Sequence, residues 1–176
     1  MIRSLSGPHY NAVPMDFETD PNDGSIFIPA KALNIVWGND KRYWNWSTTK
    51  PEEGVQLVQV NWIQVTGSVD CSKLSSPIIP KTYEIIWEIK FNVDAFGWKN
   101  APVKFKVATD RKQDVEVKNL FGIRKESGQW HQVQGGEFVV DGSCIDGKIN
   151  FGMFETESDW WKGGMVLRGV RIRSKK

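Results

Sequence analysis

Trp37, Tyr43, Trp44 and Trp46 put four large rings into ten residues, interleaved with Asn39, Asp40, Lys41, Arg42 and Asn45. An indole offers a broad flat surface and a single N–H that needs a partner when it is buried. Rings set beside side chains that donate and accept hydrogen bonds suit a ligand with apolar faces and polar rims. Sugars have that build, and so do nucleobases. The competing role for each ring is core filling, which needs no polar neighbours. A second pair, Trp160-Trp161, stands directly before Lys162 and shortly after Glu155.

Bond-making chemistry lacks its parts. His9 and His131 are the only histidines, too few for a metal site of the usual His/Cys kind. His9 falls in a polar N-terminal segment, and His131, in Trp130-His131-Gln132-Val133, reads as the surface of a strand. The chain has no phosphate-binding glycine loop, no dinucleotide fingerprint and no nucleophile elbow. Glycoside hydrolysis needs two carboxylates flanking one bond. Glu137, Glu155, Glu157 and Asp159 are available, but acids in turns are generally solvated. The expectation is a binding protein, not an enzyme, with no cofactor and no metal.

The elements that must position these residues are strands. Tyr83, Ile85, Trp87, Ile89, Phe91 and Val93 alternate with Glu84, Glu88, Lys90 and Asn92, the mark of a half-buried strand. Val103–Val107, Lys148–Met153 and Gly169–Arg173 repeat the pattern. In Val58–Val65 the apolar phase shifts at Trp62/Ile63, which predicts a bulge or a strand that changes sheet. Turn residues separate the runs at Lys50–Gly54, Ser75–Pro77, Phe96–Pro102, Ser127-Gly128 and Asp141-Gly142, and only Pro29–Leu33 suggests a helical turn. Many short strands with almost no helix predict an all-β fold: a β-sandwich, jelly-roll-like, in one domain over residues 26–176. Residues 1–25, rich in Pro, Asp, Asn, Ser and Gly, read as an extended N-terminal arm that lies over the domain or mediates association.

At 176 residues, with 40% hydrophobic and 25% charged, the chain is long enough for one well-filled core. A formal net charge of +2 does not by itself point to nucleic acid. No apolar run is long enough to cross a membrane, and Met1–Tyr10 has no apolar signal-peptide core, so the expectation is a cytoplasmic protein without membrane insertion. Two cysteines, Cys71 and Cys144, make no disulfide framework and read as free thiols in a reducing compartment. Cys144, in Asp141–Gly147, reads as exposed: an idle surface thiol, or one that cross-links chains when oxidised.

Ala32–Trp37 followed by Arg42–Trp46 resembles the opening motif of the plant phloem lectin (phloem protein 2) family, related to the tobacco leaf lectin. The similarity continues through Val60–Gly67, Lys81–Ile85, Gly128–Trp130, Gly136–Phe138 and Lys162–Arg173, over roughly residues 26–173, and is strongest to the cucurbit phloem-sap lectins. The resemblance implies a β-sandwich lectin for chitooligosaccharides, that is, N-acetylglucosamine oligomers, and for N-glycan cores. It also implies a nucleocytoplasmic protein of phloem sap and sieve elements, made without a signal peptide and commonly a homodimer. In some members cysteines join the protein into phloem filaments. The family's two important tryptophans correspond to Trp37 and Trp44, its acidic residue to Glu155 and its lysine to Lys162. Two departures stand out: Gly163 replaces the family's serine, and a second acidic position of the tobacco type falls near Lys148. The tobacco type's lysine-rich nuclear signal is missing as well.

For carbohydrate, the residues read as follows. Trp44 is the expected stacking platform, because polar residues surround it, and Trp37 either touches the ligand or orients Trp44 from beneath. Asn39, Glu155 and Lys162 supply hydrogen bonds, charge-assisted at the carboxylate. Trp160 adds a subsite, whereas Trp161 reads as a loop anchor in the core. Weak single sites then favour oligomers over the monosaccharide. One alternative is RNA binding, with rings stacking bases and Arg168, Arg171, Arg173, Lys175 and Lys176 meeting phosphate. Against it, Arg171 and Arg173 alternate with Val170 and Ile172 as a solvated strand face does. A third reading is a structural interaction module that uses the arm and Cys144.

Overall fold

The computed structural model describes residues 7–47, 50–74, 80–141 and 147–175. Twelve strands run in the order β1 (Glu18–Thr19), β2 (Ile26–Pro29), β3 (Asn34–Ile35), β4 (Trp44–Trp46), β5 (Val55–Leu57), β6 (Ile63–Asp70), β7 (Lys81–Phe96), β8 (Val103–Ala108), β9 (Gln113–Lys118), β10 (Trp130–Val140), β11 (Lys148–Glu155) and β12 (Gly163–Ser174). The one α-helix among the described residues, α1, is the single turn Phe121–Arg124, and Ala30–Ala32 forms a 3-10 turn where the sequence predicts a helical one. No feature of the sequence announces α1.

The strands form two wholly antiparallel sheets, and the fold is an all-β sandwich. In the seven-stranded sheet β12 is central. It pairs with β7 on one side, and β7 with β10; its other side takes β5 and β2, which lead on to β4 and β1. The second sheet has the order β3-β6-β11-β8-β9. Strand alternation fills the space between them: Ile85, Trp87, Ile89 and Phe91 of β7 pack with Phe105 of β8, Phe151 and Met153 of β11, and Met165 and Leu167 of β12. Burial at about 25 cal/mol per Å² of apolar surface is what holds such a stack together. The predicted phase shift at Trp62/Ile63 is the passage from β5 in one sheet to β6 in the other.

Residues 7–25 lie against the domain. Tyr10 bridges Ile35, Val13 N donates to Lys31 O, the Tyr10 hydroxyl donates to Lys31 O, and β1 extends the sheet beyond β2. Cys71 is disulfide-bonded instead of a free thiol, a correction to the sequence expectation. Its backbone N–H donates to Gly147 O, while Cys144 lies outside the described residues.

The register decides what stands at each end of the sandwich. Ile35 pairs with Val65, Trp44 with Leu57, Phe96 with Gly163, Glu155 with Ile63 and Phe154 with Lys104. Four connections that cross between the sheets therefore meet at one end: residues 36–43, 58–62, 97–102 and 156–162.

Candidate functional site at the tryptophan-bearing end

All four exposed tryptophans, Trp37, Trp62, Trp160 and Trp161, stand in these crossing connections. Burying an indole is favourable, so four of them exposed at one end make that end the candidate site. Trp98, in the same set of turns, is buried instead; its Nε1–H donates to Gly163 O at 3.0 Å and its ring meets Phe91 edge-on.

The 156–162 loop is held from below by charge. Lys162 and Glu155 are 0% and 3% exposed, and Lys162 Nζ lies 2.6 Å from Glu155 Oε2 as an ion pair. The ammonium donates to Trp160 O at 2.8 Å, and Glu155 Oε1 accepts from Ser158 N. Val60 and Lys162 exchange two backbone hydrogen bonds of 2.9 Å, locking this loop to the 58–62 segment. Gly97 completes the support. Its φ is +85°, and a Cβ there would come 2.1 Å from Trp161 O, so only glycine lets the 97–102 turn pass so close. The buried pair is thus a clamp that sets the loop carrying Trp160, which is 59% exposed, and the exposed Trp161.

The 36–43 loop is built differently. Trp37 is a non-glycine residue with φ +66°, in the left-handed region. Local contacts hold it there: Trp37 N donates to His9 Nδ1 at 3.0 Å, Asp40 N donates to Trp37 O, and the indole meets the His9 and Tyr43 rings. Arg42 donates to the Asp40 carboxylate and pulls its pKa below the usual range. Val58 N donates to Tyr43 O and Val36 N to Gln64 O, which binds this loop to the 58–62 segment at one end and to β6 at the other.

The sequence-predicted site residues separate into three groups. Trp37 and Trp160 are exposed and share the end. Glu155 and Lys162 come together there, but with each other and out of water, so their expected direct bonds to a ligand give way to a supporting role. Asn39 is exposed, yet its amide donates to Gly7 O and His9 O and so fastens the arm. Trp44 is corrected outright. At 1% exposure it belongs to the core, because β4 alternates and turns Trp44 inward while its polar neighbour Asn45 faces out. Trp46 is half-buried, its Nε1–H donating to Gly38 O. Trp161, read as a core anchor, is exposed. Trp62 was missed as a site residue; its signal was the phase shift itself, which marks a chain leaving one sheet for another.

The described basic residues in and just after the last strand are all ion-paired. Arg168 and Arg171 pair with Glu88, Arg173 with Glu84 and Lys175 with Glu137. Lys176 lies outside the described residues. Lys148 is exposed at the start of β11, in the half of that strand away from Glu155. His131 Nε2–H donates to Glu126 O at 3.0 Å, on the half-buried surface of β10.

A two-sheet antiparallel sandwich with its exposed indoles gathered on crossing loops defines an all-β domain with an aromatic end. The chain belongs to the phloem protein 2 family, whose model matches residues 23–174. It is 34% identical to phloem protein 2-like A1 of Arabidopsis thaliana, over 88% of this chain and 63% of that one. It is 32% identical to phloem protein 2-like A9 of the same plant, over 98% of this chain and 99% of that one. A protein named lectin from Luffa acutangula is 28% identical, over 91% of this chain and 75% of that one. The chain thus spans less than two thirds of the first of these relatives. Among solved structures, a xylan-binding module aligns with 99% of this chain and 95% of its own at 6% identity and a TM-score of 0.42, too remote to bear on function.

Proposed function

We propose that this protein is a lectin that binds N-acetylglucosamine oligomers at the tryptophan-bearing end. The observation that carries the reading is the gathering of Trp37, Trp62, Trp160 and Trp161 on the crossing loops of one end, with the loop of Trp160 and Trp161 held by a buried ion pair. The apolar face of a pyranose ring stacks on an indole through dispersion and weak C–H contacts. The lectin from Luffa acutangula supports the carbohydrate class, and the family resemblance supports chitooligosaccharides and N-glycan cores as the sugars. It also supports phloem sap as the setting and a homodimer as the assembly, the latter readable by sedimentation. The ion pairing of Arg168, Arg171, Arg173 and Lys175 speaks against RNA, because a cation already paired has less to gain from phosphate.

Each hydrogen bond to a hydrated sugar nets only about 0.5–1.5 kcal/mol. A stacked ring and a few such bonds give micromolar to millimolar affinity, so oligomers and paired sites are needed for strength. Titration with chitotriose, followed by tryptophan fluorescence and heat at two salt concentrations, tests the reading. Saturable, salt-insensitive binding that is lost in Trp160→Ala is the expected result. An absence of heat and spectral change at millimolar chitotriose would overturn it.

A further inference from the structure

The outer face of the seven-stranded sheet carries side-chain amides with no hydrogen-bond partner among the described residues. The register aligns Asn45 of β4, Gln56 of β5, Val166 of β12, Lys90 of β7 and Trp130 of β10 in one transverse row. The row faces outward, because the residues on either side of it, among them Trp44, Leu57, Leu167, Ile89 and Phe91, are buried in the core. Over it lies a cleft of about 350 Å³, floored by Val166, lined by Asn45, Gln56, Lys90 and Asn92, and walled by Trp46 and Glu53.

The side-chain amides of Asn45, Gln56 and Asn92 make no hydrogen bond among the described residues, and the three converge on this one cleft. Lys90 Nζ sits 4.9 Å from the centre of the Trp130 ring and forms no ion pair among the described residues. Three free amides, one ammonium and one carboxylate make a lining that carries no net charge. Such a lining complements a neutral ligand rich in both donors and acceptors, and gives a polyanion little to hold. An amide is the natural partner of an acetamido group, since each has one C=O acceptor and N–H donors.

The cleft also adjoins the tryptophan-bearing end. Asn45 is two residues from Tyr43, and the Tyr43 ring meets Trp37 at 5.7 Å. We propose that this cleft is a second saccharide subsite, which takes the continuation of a chain held at the tryptophan-bearing end and reads its acetamido and hydroxyl groups through Asn45, Gln56, Asn92 and Lys90. The proposal rests on the carbohydrate reading above and turns the protein into a detector of chain length.

The test compares chitotriose with chitohexaose. In 15N-labelled protein the hexamer is expected to shift the side-chain amide signals of Asn45, Gln56 and Asn92, and the trimer to leave them in place. By calorimetry the hexamer binds at least about tenfold more tightly than the trimer, and Gln56→Ala/Asn92→Ala brings that ratio below about threefold. If the hexamer shifts only tryptophan-end signals, the cleft is no subsite and the carbohydrate reading stands. If neither sugar moves any signal, both fall.

Discussion

Trp44 and Trp160 are the same side chain in opposite employment. Trp44 faces the sandwich interior from a three-residue strand, 1% exposed, and serves packing. Trp160 rides a loop at 59% exposure, and its backbone carbonyl is held by a lysine that never meets water. The contrast teaches that polar company in sequence does not make a tryptophan a surface residue; the support beneath its backbone decides. It also divides the chain's charges. The Lys162–Glu155 pair is sealed and shapes a loop, whereas Arg171 and Arg173 of β12, paired with Glu88 and Glu84 of β7, stay partly open to water on a sheet face.

The comparison breaks most sharply at the sealed pair. Lys162→Met leaves the Glu155 carboxylate buried without its cation, and urea unfolding should register a loss of about 3–5 kcal/mol. The double variant Glu155→Leu/Lys162→Met should recover most of that loss. Trp44→Ala, which opens a core cavity, should cost about 3–5 kcal/mol in the same assay. Trp160→Ala should stay within about 0.5 kcal/mol of the parent while sugar binding disappears. Equal destabilisation by the two alanine variants would erase the distinction between packing and presentation. Gly97→Ala, forced into a left-handed φ against Trp161 O, should destabilise by more than about 1 kcal/mol.

The smallest effect separates the exposed charges from the sealed one. The bond from Lys175 holds the Glu137 carboxyl below its ordinary pKa. Its contribution is therefore present above the unfolded carboxylate pKa and is lost as pH falls through the lowered folded value. Lys175→Gln should lower the urea midpoint slightly at neutral pH, and the difference from the parent should vanish in acid. A difference that persisted below the carboxylate range would assign the effect to something other than this pair.

The sandwich was legible because its long strands, β7 above all, bury one face and so write alternation into the sequence over many residues. The arm's contact with the domain was legible only as a possibility. At Trp44 the reading failed for a physical reason: three residues of β4 are too few to fix a phase, so polar neighbours were mistaken for exposure. The Glu155–Lys162 clamp was hidden because its partners sit at the two ends of a loop, where spacing carries no periodic signal. Trp62 was visible only as a break in phase, and α1 is a single turn, too short to write a helical period into the sequence. Which tryptophans stay outside depends on where strands end, and strand ends are what alternation specifies least.

The clamp under Trp160 also bears on time. A loop fixed by a buried ion pair, two bonds to Val60 and a glycine turn at its back has its shape before any ligand arrives. Capture then needs no folding step and gives up little loop entropy. Arrival should be uniformly quick for every sugar that fits, and discrimination among them should appear as differences in how long each one stays.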